Sequence, residues 1–374
     1  MTEGLSAAIA SMPVRKPREE RDAQEPSMFA LLAAGTYNRG ARQPAPASRG
    51  KVPAIPDLSR RRFLTISAAA TLAGVAAVAT SACASHTRGG TEMPSRILRG
   101  VTVDSLDDIE ETAAVLSSSA NRLTVRLIMD SERPLEDCAR AVAALKPHAD
   151  IMIQVIDSTD LPDRSASWIA KRTQDAMDAF GDDVALWEIG NELNGSWAGS
   201  SPSQINTKAR AAYDVVRAAG GRTAVTFNYW SSHDCYDQPW EATLPYARQA
   251  AASVPDVDCV FLSVYETACS PAQHPSAEEL ASALNSLGDI YPDACLGIGE
   301  IGAQGVDDGL ASNPSMPEKE RLATYYYGLH DNIAAQVGPR YVGGYFWWYF
   351  YEDAVDEPEG SSLWPTLDAL LNDL

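Results

Sequence analysis

From about residue 96 to the C-terminus, short apolar and β-branched runs alternate with longer stretches of helical period. The runs at 97–103, 123–128, 151–156, 185–190, 223–228, 259–264, 295–299 and 342–348 predict strands. Between them, amphipathic stretches at 106–116, 135–145, 166–180, 206–219, 246–252, 277–287 and 318–337 predict helices. A last one at 367–371 closes the series. Eight β/α units in roughly 280 residues match the count and size of a (β/α)₈ TIM barrel, an α/β fold. A doubly wound open sheet is the alternative, but no Gly-rich dinucleotide fingerprint follows the first strand. No boundary signal divides the body 96–374, and no repeat of solenoid length is present.

The chain upstream of the body has a different character. Residues 1–58 are rich in Pro, Arg, Ala and Gln without a sustained apolar period, and read as a disordered basic extension in which Met28 is a second candidate start. Ser59-Arg60-Arg61-Arg62-Phe63-Leu64 then opens an uncharged, Ala-rich run to Ala82. The run is long enough to span a bilayer but too weakly apolar to make a good anchor. Segment 59–83 resembles a twin-arginine signal peptide, and Thr80-Ser81-Ala82-Cys83 resembles a lipobox, which implies lipidation at Cys83. Ala82-Cys83-Ala84 also fits ordinary signal-peptidase cleavage. Residues 84–95 read as a flexible tether. The expectation is an exported protein, either secreted or held at the membrane through a lipid.

Charge supports that picture and narrows the partners. The formal net charge is −20, yet residues 1–83 carry 11 Lys/Arg against 6 Asp/Glu, leaving 19 against 44 in the remainder. An acidic body lacks the clustered cations that nucleic acid requires. Its five His residues form no HExxH pair, so neither a metal nor another cofactor is implied.

In a barrel of this kind the chemistry sits at the C-terminal ends of the strands. The fourth run ends Trp187-Glu188-Ile189-Gly190-Asn191-Glu192 and the seventh ends Gly297-Ile298-Gly299-Glu300. The barrel would bring these two ends to one rim, giving the paired carboxyls that glycoside hydrolysis needs. Period-two alternation points 188, 190 and 192 the same way, so Glu188 is expected below Glu192 and within reach of Arg126.

With these motifs in view, the body resembles glycoside hydrolase clan A, the retaining (β/α)₈ glycosidases. The resemblance implies that Glu192 is the acid/base, Glu300 the nucleophile, and Asn191 the partner of the substrate 2-hydroxyl. It also implies Arg126 close to the nucleophile, where its charge would lower the carboxyl pKa of Glu300, and Tyr265 hydrogen-bonded to that carboxylate. Trp348 would floor the sugar site, with Trp347 as the alternative if the register slips by one. A carboxyl separation of about 5–5.5 Å and a covalent intermediate would follow. The charge of Glu300 would raise the pKa of Glu192.

Aromatic residues crowd the loops after the fourth, fifth and eighth runs: Trp197, Tyr229, Trp230, Tyr236, Trp240, Tyr349 and Tyr351. Such rings can stack on sugars or simply pack. Trp230 is taken as a substrate-binding candidate, and Asn228 and Asp104 as weaker ones for sugar hydroxyls. Besides Cys83 there are five Cys residues. Cys235 and Cys269 fall in neighbouring rim loops and are the preferred disulfide. Cys259 and Cys295 either pair or stay as buried thiols, and Cys138 is left free.

The function expected is an exported, monomeric retaining glycosidase acting on a polysaccharide or oligosaccharide, with no membrane contact beyond the lipid. A transglycosidase using the same site, and a non-catalytic glycan-binding lipoprotein, are the alternatives.

Overall fold

The computed structural model describes residues 97–266, 269, 272–303, 314–356 and 361–374. The extension 1–58, the leader 59–83 with Cys83, and the tether lie outside the described residues.

Eight parallel strands close into a barrel in sequence order. They are β1 (Leu98–Val103), β2 (Leu123–Ile128), β3 (Ala149–Gln154), β4 (Val184–Gly190), β5 (Thr223–Asn228), β6 (Cys259–Val264), β7 (Cys295–Ile301) and β8 (Tyr341–Trp347). The helices between and after them are α1 (Ile109–Ser117), α2 (Leu135–Leu145), α3 (Ala166–Phe180), α4 (Pro202–Ala218), α5 (Thr243–Ala251), α6 (Ala277–Ile290), α7 (Met316–Tyr327), α8 (His330–Val337) and α9 (Trp364–Asp373). The architecture is the (β/α)₈ TIM barrel read from the chain's periodicity. No helix among the described residues is long and apolar enough to cross a membrane.

Where elements differ from the pattern, a local interaction explains it. β3 starts at Ala149 rather than 151, because Asp150, which interrupts the apolar run, pairs at the surface with Arg122 at 2.7 Å. α4 starts four residues earlier than its apolar period, since the Ser201 side chain accepts the Gln204 N–H and Pro202 follows at the first turn. The single helix expected over 318–337 is two. Gly328 ends α7, and the chain bends so that His330 packs on the rings of Tyr341 and Tyr345, 5.3 and 6.0 Å away.

The outer layer is held by apolar stripes. In α3, Ile169, Thr173, Ala176 and Phe180 are buried at helical spacing, and Phe180 stacks on Trp187 of β4 with centroids 6.2 Å apart. Each large apolar side chain so buried contributes about 1.5–3 kcal/mol.

The barrel's inside is a separate cluster containing Leu98, Met152, Leu186, Ala224, Phe261 and Phe346 with the Cys259–Cys295 disulfide. Two rings fill the axis, and glycine makes room for them. A Cβ on Gly100 would lie 2.5 Å from the Phe346 ring, and one on Gly299 would lie 2.6 Å from the Phe261 Cβ. Above this plug the interior turns polar, with Arg126, Glu188 and Thr226 all fully buried. The apolar layer therefore lifts the polar one toward the strand ends.

Candidate active site

The rim of the barrel is organised by Arg126, which projects from β2 with no exposed surface. Its Nε donates to Glu188 Oε2 at 2.7 Å and its Nη1 to Glu300 Oε2 at 2.8 Å. Thr226 of β5 donates its hydroxyl to the other oxygen of Glu188. Two carboxylates facing one guanidinium push its pKa upward, so the cation is permanent.

Glu300 receives two further donors. The Tyr265 hydroxyl donates to Oε1 at 2.7 Å, and Asn191 Nδ2 donates to Oε2 at 3.3 Å. Its position depends on a bulge. β6 and β7 pair Leu262 with Ile298 and then Ser263 with Glu300, so Gly299 is the extra residue. Strict alternation from Gly297 would have turned residue 300 away from the interior. The bulge turns it inward.

Glu192 sits in different company. Ser263 Oγ donates to its Oε1 at 2.7 Å and the Trp197 indole N–H to its Oε2 at 3.2 Å, both neutral donors. Its backbone is left-handed, with φ 43°, a conformation that costs a non-glycine residue about 1–2 kcal/mol. The turn is stabilised by the Gly195 N–H bonded to the Glu192 carbonyl at 2.8 Å. Gly190 lets Leu193 fold beneath it, since a Cβ there would lie 2.5 Å from the leucine. A register shift between Glu188 and Gly190 on β4 breaks the expected alternation. Glu188 accordingly points to Arg126, while Glu192 reaches Ser263 from the following turn.

The two carboxyls differ in acidity. Burial first, and then the charge of Glu300, hold Glu192 well above the usual carboxylate range. Glu300 is also raised, which corrects the expected lowering: burial outweighs the opposing Arg126 charge and the Tyr265 and Arg126 hydrogen bonds. Arg126 thus reduces an upward shift rather than producing a downward one. Burial and the neighbouring Glu300 charge raise Tyr265, so it stays a neutral donor.

The tryptophan alternative resolves by position. Trp347 is fully buried and donates to Asp353 Oδ2 at 2.8 Å, while Asp353 is also bound by Lys319 at 2.5 Å. Trp348 is part-exposed, and the Arg126 guanidinium lies 5.5 Å from its ring centre. Trp348 therefore lies against the cation that binds Glu300, and Trp347 is a structural anchor.

The other two candidates lie at one remove. The backbone of Asn228 is clasped by Asn194, which accepts its N–H at 2.7 Å and donates to its carbonyl at 2.8 Å. The Asn228 Oδ1 is buried without a partner among the described residues, as is Asn191 Oδ1. Trp230 stands edge-on to Trp197, with centroids 6.3 Å apart. Sequence reasoning did not single out Ser263, Thr226 or Asn194. The Asn191-Glu192-Leu193-Asn194 repeat of asparagine was the available sign for the last of these.

A second acidic group faces the gap between the loops after β1 and β8. Tyr351 donates to Asp108 Oδ2 at 2.8 Å and ties those loops together. Asp104 Oδ1 and Glu352 Oε2 are buried there without a partner among the described residues. Burial and then the Glu352 charge hold Asp104 well above the usual range, and Glu352 is raised chiefly by burial. Among the described residues no group of His, Cys, Asp and Glu is arranged to hold a metal ion.

Cys235 and Cys269 are disulfide-bonded, with Cα atoms 5.4 Å apart, joining the loops after β5 and β6. Cys259 and Cys295 also pair, the first of the two alternatives open to them, and Cys138 is a buried free thiol in α2.

No family model and no curated protein matches the chain. Among solved structures it is similar to a family 1 β-glucosidase from Thermotoga maritima, at 12% identity and a TM-score of 0.49, over 68% of this chain and 88% of that one. It is also similar to a β-mannanase from Thermomonospora fusca, at 20% identity and a TM-score of 0.43, over 68% and 78%. Likeness this remote leaves the chemistry to the residues themselves.

Proposed function

We propose that this chain is a retaining glycoside hydrolase, in which Glu300 attacks the anomeric carbon and Glu192 is first acid and then base. The observation that carries the reading is the unequal setting of the two carboxyls. Glu300 is bound by a cation, a phenol and an amide, whereas Glu192 meets only a hydroxyl and an indole. The first setting favours a carboxylate, the second a carboxyl that keeps its proton.

In this mechanism Glu192 protonates the leaving oxygen as Glu300 forms a glycosyl ester. Consumption of the Glu300 charge lets the pKa of Glu192 fall, so that it can take a proton from the incoming water. Asn191, with one amide oxygen still unpartnered, would accept from the sugar 2-hydroxyl, and Trp348 would floor the ring.

Glu192→Gln and Glu300→Gln should each lower kcat/KM on an unactivated glycoside by at least about 10³-fold, since each removes a whole chemical role. The roles are separable with azide and an activated aryl glycoside. Glu300→Ala should yield a glycosyl azide of inverted configuration, and Glu192→Ala one of retained configuration. The reverse pattern, read by NMR, would exchange the two assignments, and near-wild-type turnover in either Gln variant would end the hydrolase reading. A sugar acceptor in place of water would reveal a transglycosidase.

The leader places the reaction outside the cytoplasm in this reading. Intact mass of the mature protein should then start at Cys83 with a lipid, or just beyond it without one. A mature chain that retains Arg60–Arg62 would count against export.

A further inference from the structure

A cavity of about 460 Å³ opens on the flank of the barrel, between the loop after β5 and helices α5 and α6. One wall is aromatic and comprises Tyr229, Trp230 and Tyr236. The opposite wall is one face of α6, on which Glu278, Glu279, Ser282 and Ser286 follow one another at about helical spacing. Its size lies within the range of small-ligand pockets, and rings opposite hydroxyl and carboxylate oxygens suit a pyranose, which has apolar C–H faces and a hydroxyl edge. Two carboxylates on the wall disfavour an anionic sugar.

The cavity is built rather than left over. Tyr236 spends its hydroxyl internally: it accepts from the Trp230 N–H at 3.0 Å and lies 2.8 Å from the Thr243 hydroxyl, so its ring is what it presents. The Cys235–Cys269 disulfide anchors the same loop, and Ser231 Oγ donates to Gln273 Oε1 at 2.7 Å across to the loop after β6. Such anchoring lowers the ordering cost of binding.

Packed rings link the wall of the cavity to Glu192. Trp230 packs edge-on against Tyr236, centroids 5.2 Å apart, and against Trp197, whose indole donates to Glu192. Under the reading above, Glu192 protonates the leaving group, so a ligand in the cavity stands on the leaving-group side.

We infer that this cavity is a second sugar-binding site, which takes a neutral pyranose unit of the polysaccharide being cleaved, beyond Glu192. The inference rests on the glycosidase reading for its substrate and its side, but not for its existence.

Ser282 is exposed on α6, so Ser282→Trp fills the cavity from a position that tolerates a large side chain. Ser282→Ala is the control for the helix. Ser282→Trp is expected to leave kcat/KM on a short aryl glycoside unchanged and to lower it about tenfold on the polymer of the same sugar, with Ser282→Ala changing neither. A parallel measurement needs no catalysis: NMR titration with neutral gluco-, manno-, xylo- and galacto-oligosaccharides. At least one should shift the ring signals of Trp230 and Tyr236 in wild type and Glu300→Gln, and leave those of Ser282→Trp unshifted. Equal polymer-to-short ratios in wild type and Ser282→Trp, or unshifted Trp230 and Tyr236 signals in wild type, overturns the second site and leaves the glycosidase reading standing. Oligosaccharide binding lost in Ser282→Trp, from a wild type inactive on every glycoside, sustains the second site and removes the glycosidase reading instead.

Discussion

At the scale of single residues, the pair Glu192 and Glu300 sets a pH dependence whose sign follows from their surroundings. On the hydrolase reading proposed above, turnover needs Glu300 ionised and Glu192 protonated, so kcat/KM should be bell-shaped. Both carboxyls are raised by burial, and Glu192 also by the charge of Glu300, so the alkaline limb lies well above the ordinary carboxylate range. The limbs belong to the coupled pair rather than to either group alone. Glu300→Gln removes one negative charge beside Glu192 and leaves its burial. The carboxyl of Glu192, followed by ¹³C NMR, should therefore titrate at lower pH than in wild type, yet still above 4.5, its ordinary value. An unchanged titration would mean that the two groups do not interact. Much of this site was legible, because Asn191-Glu192, Arg126, Tyr265 and Glu300 stand at strand ends. The inward turn of Glu300 was not, because a bulge at Gly299 reverses period-two alternation and leaves no mark on the apolar pattern. The net direction of the Glu300 shift was also hidden, since desolvation depends on what covers a group and not on its neighbours in sequence.

At the scale of elements, the strands were readable because each carries a short, largely buried apolar or β-branched run, and β2, β5 and β6 match their pattern end to end. Ends set by side-chain caps and packing were less so. The bend between α7 and α8 answers to tyrosines of β8, distant in sequence from Gly328. The disulfides belong to this scale as well, because they join adjacent strands and adjacent loops. Cys259 and Cys295 face each other in the β6–β7 ladder at a Cα separation of 4.5 Å. Their bond closes a loop of 36 residues, which should stabilise the fold by about 2–4 kcal/mol through the unfolded chain. Replacing both with Ala should lower the denaturation free energy by at least that amount, because it also empties volume inside the barrel. Denaturant titration that finds less than about 1 kcal/mol would show that the bond does not form in the folded protein. The same double replacement should leave KM on a short glycoside unaltered, since the bond lies at the far end of the strands from Glu192.

At the scale of the whole molecule, the body is strongly acidic, and some of that acid is buried where it favours the protonated state. Asp104 and Glu352 lie between the loops after β1 and β8, each with a buried oxygen that has no partner among the described residues. Their folded pKa values are raised above the unfolded ones, Asp104 by burial and then Glu352, and Glu352 chiefly by burial. Over the window that starts near the ordinary values of 3.8 and 4.5 and extends upward, the native state binds more protons than the unfolded state. The sign is then fixed: the stabilisation is full below the unfolded pKa values and is lost as pH rises through the folded ones. Exchange of both groups for Asn and Gln removes that loss without changing the shape of either side chain. Asp104→Asn/Glu352→Gln should therefore melt at a higher temperature than wild type at pH 8, and the difference should shrink toward zero near pH 4. A difference that is constant with pH would show that the effect is steric. One that grows toward acid would mean that the carboxylates are stabilised by the fold, so that their backbone hydrogen bonds outweigh burial. On the hydrolase reading, activity adds a second test, that this polar pair also binds the substrate. If it does, the same variant gains stability and shows a raised KM on the glycoside, a trade that neither change alone would establish.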